Sequence, residues 1–213
     1  MRLLSWLKSW LSSARDKRLA SINAPVTPPP TLKPEIIRMT EPAVRIYQQS
    51  PDYRSHGDKA RSIDLIVLHC TESSWASALA WLTRKDETPV SAHYQIGKDG
   101  RLVQMVAVND MAFHAGGTKE KPSSWRGRGG VNARSIGVEL ENKNDGKDPY
   151  TKIQIEVLLW LVYRKCKAHG IIPQDVVGHC DVDPGRKIDP RGFPFDVFRT
   201  SLAHHLNQQG ETA

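Results

Sequence analysis

The sequence predicts an α/β domain in which a mixed β-sheet carries helices on its faces. Apolar runs with strand character alternate along the chain with segments of helical period, and this alternation is typical of α/β folds. The composition, 39% hydrophobic and 25% charged, indicates a globular body rather than a disordered chain.

Residues 1–20 predict a basic amphipathic helix. Leucines and tryptophans share one face, and the charged residues are basic except for Asp16. Such a helix is predicted to bind an anionic membrane surface. It has too few consecutive apolar residues to span a bilayer. The alternatives are a helix packed on the domain, a frayed segment, or a cleaved signal peptide, although Lys8 interrupts the apolar core that a signal peptide needs. Without a convincing signal peptide, synthesis in the cytoplasm is expected.

The net charge of +7 indicates an anionic partner. A membrane face or a cell wall fits this charge. Nucleic acid is not expected, because the sequence has no basic helix beyond the N-terminus and no aromatic platform.

Prolines mark the domain boundaries. Residues 21–43 contain a series of prolines that favours extended polyproline, and they are predicted to form a linker. The main domain is predicted at residues 44–207, with a tail at 208–213.

The strands of the main domain are predicted from apolar runs. These runs are residues 63–69, 92–96, 101–106 and 135–141. Lys98-Asp99-Gly100 lies between the second run and the third, and this turn sequence predicts a hairpin.

The helices are predicted from their capping residues. Ser73 or Ser74 caps the helix after the first strand. Thr151 and Gln154 form a capping box for a helix that ends at Gly170. A closing helix is predicted at residues 196–207.

Residues 177–190 bring a histidine, a lysine and an aspartate into one predicted loop. Its glycines and prolines disfavour a helix or a central strand, so His179 and Asp189 are expected to fold back on each other. His69, at the end of the first strand, is the candidate third ligand. Neutral imidazole with carboxylate suits a zinc ion that keeps one coordination position open.

Such a zinc site predicts amide hydrolysis, which needs a base for water and a cation for the developing oxyanion. Glu139 and Glu141 are the candidate bases, and spacing alone does not choose between them. Lys187 is the candidate cation, with a solvated loop lysine as the alternative. On composition alone, the other histidines that remain candidate ligands are His93, His114 and His169.

The three cysteines argue against a disulfide framework, because their number is odd. Cys70 and Cys180 each follow a candidate ligand histidine. We interpret them as buried reduced thiols, with a disulfide or an extra zinc ligand as alternatives.

Ordered blocks between about residues 50 and 200 carry a resemblance to a known family. The blocks are Ser50–Tyr53, Ile66–Thr71, Val90–Tyr94, Phe113–Gly116, Ser135–Asn142 and Val177–Pro190. Together they resemble the zinc-dependent N-acetylmuramoyl-L-alanine amidases of the type 2 class. That class includes phage amidases, peptidoglycan recognition proteins and bacterial anhydro-muropeptide amidases.

The resemblance implies a role for each matching position. The implied Zn²⁺ ligands are His69, His179 and Asp189. The implied base is Glu139, and the implied transition-state stabiliser is Lys187. The implied substrate contacts are His114 and Asn132. An arginine that some relatives use on the stem peptide falls at Gly130, and Arg126 or Arg128 is expected to replace it.

The resemblance implies a hydrolase that cleaves the amide between N-acetylmuramic acid and L-alanine in peptidoglycan. The basic N-terminal helix favours a phage or prophage endolysin that acts on the cell wall or in the periplasm. The alternatives are a cytosolic muropeptide-recycling amidase and a non-catalytic peptidoglycan-binding module.

Overall fold

The computed structural model of the chain describes residues 35–85 and 87–208. The strands are β1 (Arg45–Tyr47), β2 (Tyr53–Arg54), β3 (Leu65–Cys70), β4 (Tyr94–Ile96), β5 (Leu102–Gln104), β6 (Met111–Ala112), β7 (Ser135–Leu140) and β8 (Val176–Gly178). The helices are α1 (Trp75–Leu82), α2 (Val131–Arg134), α3 (Lys152–His169), α4 (His179–Val182) and α5 (Phe195–Gln208), with a 3₁₀ turn at Pro173–Asp175. The helix predicted for residues 1–20, most of the predicted linker and nearly all of the tail lie outside the described residues.

The main sheet has six strands in the order β1-β5-β4-β7-β3-β8. The β4–β5 pair is antiparallel, as the predicted hairpin requires, and every other neighbouring pair is parallel. Strands β2 and β6 form a separate antiparallel pair. The predicted mixed sheet with helices on its faces is therefore confirmed.

Strand β3 is buried along its whole length because both faces of the sheet are covered. Side chains alternate between the two faces of a strand. Ile66 and Leu68 pack into the larger core with residues of α3 and α5. Leu65 and Val67 face the opposite side, where they join a smaller cluster with Val177. His69 points to the same face of the sheet as Leu65 and Val67. The apolar cluster on this face is the smaller of the two, which leaves room for a site.

The predicted cap residues are confirmed, but the capping box predicted for Thr151 and Gln154 is only half formed. The Gln154 side chain donates to Ile96 O and Glu141 O, and its Oε1 atom, which would accept from Thr151 N, has no partner among the described residues. The Ser74 side chain accepts a hydrogen bond from Ser77 N, which settles the choice between Ser73 and Ser74. Thr151 accepts from Gln154 N at the start of α3. Gly170 ends that helix in the left-handed region, at φ +69°, where glycine has no Cβ penalty.

The last residues of the predicted linker are bound to the main domain. Ile37 N donates to Ser201 Oγ (2.9 Å) and Ile37 O lies 2.9 Å from His205 Nε2, both on α5. The Thr40 hydroxyl donates to the Glu156 carboxylate on α3 (2.7 Å). These contacts hold the segment at residues 37–40 against the two long helices.

The prediction of one loop over residues 177–190 is wrong at its start. Val176 and Val177 pair in register with Ile66 and Val67, so the run forms the edge strand β8. Residues 179–182 then form the single helical turn α4. An edge strand of two or three residues, such as β8, is too short to show the alternation of apolar and polar residues by which strands are recognised in a sequence.

Among the described residues, no helix is both long enough and apolar enough to cross a bilayer.

Candidate metal centre and active site

Three parallel strands bring the candidate ligands to one edge of the sheet. Strands β3, β7 and β8 point their C-terminal ends to the same edge, which is where parallel sheets commonly build sites. His69 is near the end of β3, and His179 directly follows β8. Asp189 joins them because its carbonyl accepts a hydrogen bond from Cys180 N (2.9 Å), which folds the chain back.

The three candidate ligands converge on one point. His69 Nδ1 lies 3.0 Å from His179 Nδ1 and 3.5 Å from Asp189 Oδ2. His179 Nδ1 lies 3.2 Å from the same Asp189 oxygen. All three side chains are buried, and they form a group able to hold a metal ion.

The spacing of the three atoms fits a tetrahedral zinc ion. Ligand atoms about 2.0–2.1 Å from a tetrahedral centre are about 3.3 Å from one another, and the observed separations bracket that value. Two imidazole nitrogens and one carboxylate oxygen are also a donor set that zinc prefers. The residues therefore fit the metal that the resemblance implies.

Burial and charge keep this cluster in the protonation state that a metal requires. Burial, with His179 next to it, lowers the pKa of His69 to about 4, so its imidazole is neutral at pH 7. Burial would raise the pKa of Asp189, but the two histidines outweigh it and hold that pKa well below its usual value. The cluster thus offers a neutral imidazole and a carboxylate.

Glu139 stands beside the cluster on the neighbouring strand. It pairs in register with His69, so their side chains lie on the same face of the sheet. Its Oε2 atom is buried and has no hydrogen-bond partner among the described residues. Burial, helped by the charge of Asp189, raises the pKa of Glu139 to about 8. A carboxyl group of this kind exchanges protons readily near neutral pH.

Glu141 has a structural role instead. Strand β7 ends at Leu140, and the Glu141 carboxylate accepts hydrogen bonds from the backbone nitrogens of Trp75 (2.9 Å) and Lys98 (3.0 Å). These bonds tie the start of α1 to the hairpin turn. The tertiary contacts therefore separate two glutamates that spacing alone left equivalent.

Lys187 lies in the turn between α4 and Asp189. Its backbone nitrogen donates to the carbonyl of Asp183 (3.1 Å), and the buried Asp183 carboxylate also binds the Arg186 guanidinium. The positive charge of Lys187 lowers the pKa of both Glu139 and His69. The charge of Lys187 therefore interacts electrostatically with the candidate base, Glu139, and with the ligand His69.

His114 and Asn132 are half-buried and make hydrogen bonds within the protein. His114 Nδ1 lies 3.0 Å from His69 Nε2, and His114 Nε2 lies 3.0 Å from Ser135 Oγ. Asn132 Oδ1 accepts from the backbone nitrogens of His114 (3.2 Å) and Ala115 (2.7 Å). Their implied contact with substrate stays a prediction.

Arg126 and Arg128 are exposed and paired with acids. Arg126 forms an ion pair with Asp175 (3.1 Å), and Arg128 forms one with Asp64 (2.6 Å). Exposed pairs of this kind are weak, so either arginine is able to exchange its partner for a substrate carboxylate. That role also stays a prediction.

Sequence reasoning missed Gly137 and Ser135. A Cβ at Gly137 would lie 2.5 Å from His114 Cγ, so only glycine lets the imidazole lie against β7. A glycine inside a predicted strand is the signal that could have found this close approach. His93 accepts a hydrogen bond from Gly137 N (3.0 Å) and is buried outside the cluster.

A cleft of about 390 Å³ opens beside Glu139. Its walls come from the end of β3, from α1 and from Val90. Cys70 lies in this wall as a free thiol, and burial raises its pKa to about 12. The candidate base therefore faces a space in which a substrate can lie.

Comparison with known proteins identifies the family. The family model described as N-acetylmuramoyl-L-alanine amidase matches residues 59–192, which is more than half of the chain. The chain belongs to this amidase family. The matched range contains every candidate ligand and both candidate catalytic residues.

Two curated amidases are similar to this chain. It is 36% identical to the N-acetylmuramoyl-L-alanine amidase AmiD of Escherichia coli over 60% of this chain and 49% of AmiD. It is 44% identical to the 1,6-anhydro-N-acetylmuramyl-L-alanine amidase AmpD of Haemophilus influenzae over 50% of this chain and 54% of AmpD. The match thus spans about half the length of each relative.

Solved amidase structures share the fold. AmiD of E. coli, in complex with anhydro-N-acetylmuramic acid-L-Ala-D-γ-Glu-L-Lys, matches with a TM-score of 0.57 and 32% identity over 74% of this chain and 61% of that chain. The endolysin amidase LysCS of Clostridium intestinale matches with a TM-score of 0.54 and 20% identity over 78% of this chain and 98% of that chain. At that identity the endolysin shows the fold alone.

Proposed function

We propose that this amidase-family protein is a zinc-dependent enzyme that hydrolyses the amide between the lactyl group of N-acetylmuramic acid and L-alanine. The observation that carries the proposal is a glutamate, Glu139, whose buried Oε2 atom has no hydrogen-bond partner among the described residues and which stands next to three ligand atoms with zinc-like spacing. Family membership supports the choice of bond.

Each residue of the site has a chemical task in this proposal. His69, His179 and Asp189 would hold the zinc ion, which when bound acidifies water and polarises the scissile carbonyl. Glu139 accepts a proton from the attacking water and returns it to the leaving nitrogen. Lys187 stabilises negative charge on the carbonyl oxygen as it develops.

We further propose that the substrate is a muropeptide that carries an anhydro sugar. AmiD was solved with such a molecule, and the name of AmpD specifies the anhydro sugar. These relatives favour the recycling-type alternative over the endolysin interpretation, which stays unconfirmed. The membrane role of residues 1–20 also stays a prediction.

The direct test is release of free L-alanine amino termini from two substrates, a purified anhydro-muropeptide and intact sacculi. We expect faster release from the muropeptide, loss of release with a chelator and recovery with zinc. Faster hydrolysis of sacculi would favour the endolysin interpretation. Binding to either substrate without release would indicate a non-catalytic module.

Replacing Lys187 by methionine is expected to lower kcat by about 10²- to 10³-fold, because the developing oxyanion loses its cation. Zinc binding should persist, since Lys187 is not a member of the ligand cluster. The matched control is Lys121→Met, because Lys121 Nζ contacts the same turn through Pro184 O (2.5 Å). A normal kcat in the Lys187 variant would refute its assigned role.

In metal-free protein, the contribution of Glu139 to stability is expected to fall as pH rises from about 4.5, its usual pKa, to about 8, its pKa in the folded protein. Between these values the folded state binds more protons at Glu139 than the unfolded state, so this contribution decreases as pH rises, whereas the lowered pKa of His69 acts in the opposite direction. Glu139→Gln removes only the Glu139 contribution. The difference in Tm between the variant and the wild type should therefore grow over that range and then level off, and a difference that does not vary with pH would contradict the buried position of Glu139.

A further inference from the structure

We propose that His114 and Ser135 are positioning residues that fix the tautomer of His69. In this arrangement they hold the proton of His69 on Nε2 and leave Nδ1 free to bind a metal. The inference rests on the proposed zinc site, and it assigns His114 a role other than the substrate contact that the family resemblance implies.

The chain of hydrogen bonds begins at a backbone carbonyl. Ser135 Oγ lies 2.5 Å from Val131 O at the start of α2. A carbonyl oxygen only accepts, so the single hydroxyl proton of Ser135 is directed to it. Ser135 Oγ then presents lone pairs to His114 Nε2, 3.0 Å away. The proton of neutral His114 must therefore lie on Nε2.

The position of the proton on His114 in turn fixes the position of the proton on His69. A neutral imidazole has one N–H and one bare nitrogen, so His114 Nδ1 is bare. It lies 3.0 Å from His69 Nε2, which must therefore carry the proton of His69. The remaining nitrogen, His69 Nδ1, is then bare, and it is the atom that faces His179 and Asp189. Of the two neutral tautomers of His69, one carries its proton on Nδ1 and would present an N–H group to the metal. The hydrogen bonds from Ser135 through His114 exclude that tautomer.

Packing holds the His114 ring in the required place. The rings of His114 and His69 are nearly perpendicular, with centroids 5.1 Å apart. Gly137 has no Cβ to displace the His114 ring, and Asn132 binds the backbone at His114 and Ala115. Both ring nitrogens of His114 are therefore used inside the protein.

The size of the effect follows from other metal sites. Partners that orient a ligand histidine typically change metal affinity by about 10- to 100-fold when they are removed. A residue that only contacts substrate would instead change KM and leave metal affinity unchanged. The two roles therefore separate in one measurement.

The test uses the full chain, with zinc affinity measured by competition against a chelator. Ser135→Ala removes the acceptor for His114 Nε2, and we expect zinc to bind about 10-fold more weakly. His114→Leu removes the acceptor for His69 and should weaken zinc binding by about 10- to 100-fold. His114→Asn places a fixed acceptor oxygen at the position of Nδ1, so it should restore most of the affinity.

The double variant sharpens the test. Asparagine has no tautomers to be ordered, so Ser135→Ala should have no further effect on zinc affinity when it is combined with His114→Asn. The matched control is Ser201→Ala, which removes a buried serine on α5 that also makes two hydrogen bonds. This control should keep wild-type zinc affinity.

A second readout is the ¹⁵N-resolved position of the imidazole protons in the zinc-loaded wild-type protein. We expect protons on Nε2 of both His69 and His114. A proton on His114 Nδ1, or zinc affinity that is unchanged in both Ser135→Ala and His114→Leu, would overturn the inference. If the wild type binds zinc and cleaves substrate in that case, the proposed function stands. If the wild type does not bind zinc, the proposed function itself fails.

Discussion

Replacing Glu139 by glutamine is expected to lower kcat by about 10³-fold, because an amide cannot take the proton of the attacking water. The side chain keeps its shape, and Glu139 is not one of the three cluster residues. Zinc content should therefore be unchanged. The measurement is the rate of release of L-alanine amino termini from an anhydro-muropeptide, together with metal analysis of the same sample.

Glu141→Gln is the matched control for this variant. It makes the same chemical change two residues away, where the carboxylate binds Trp75 N and Lys98 N. We expect this control to lower Tm, since a neutral amide satisfies these donors less well, and to retain kcat per folded molecule. If Glu139→Gln retains the wild-type rate, or if the control is the variant that loses it, the assignment of the base is wrong.

Replacing Asp189 by alanine is expected to weaken zinc binding by more than 100-fold, beyond the range found for residues that only orient a ligand. The change removes the only carboxylate oxygen of the cluster and leaves two imidazoles. Hydrolysis should fall to background at any zinc concentration that the protein tolerates. Chelator competition and the release assay measure the two effects separately.

Asp148→Asn is the control for the loss of a carboxylate. Asp148 accepts hydrogen bonds from Lys98 Nζ and Lys143 N and is not in the cluster. Its replacement should leave zinc affinity unchanged. Full zinc occupancy and normal turnover in the Asp189 variant would show that the metal binds elsewhere.

Local signals predicted the long elements of the fold well. The capping residues Ser74, Thr151 and Gly170 act through atoms within one helical turn, so the sequence predicts the start of α1 to within one residue and both ends of α3. The short elements were not predicted. Strands β1 and β8 have three residues each, and their pairing is decided by partners that are distant in the chain.

Some residues of the site were likewise predicted from the sequence, and others were found only in the structure. The spacing of His179 and Asp189 suggested that they fold back on each other, and the strand end suggested His69. The choice of Glu139 over Glu141 came from the family resemblance, and the structure supplies its physical basis in the backbone contacts that occupy Glu141. Ser135 and Gly137 had no role until the sheet placed His114 against them.

The sequence by itself determined the alternation of strands and helices, the cap residues and a set of candidate metal ligands. These depend on side-chain chemistry and on neighbours a few positions away. Only the tertiary structure decided which nitrogen of His69 faces the cluster, which of the two glutamates stands beside it, and how the three ligands meet. Those outcomes depend on parallel strands that bring residues more than 100 positions apart to within 3.0 Å, and local sequence carries no record of such pairings.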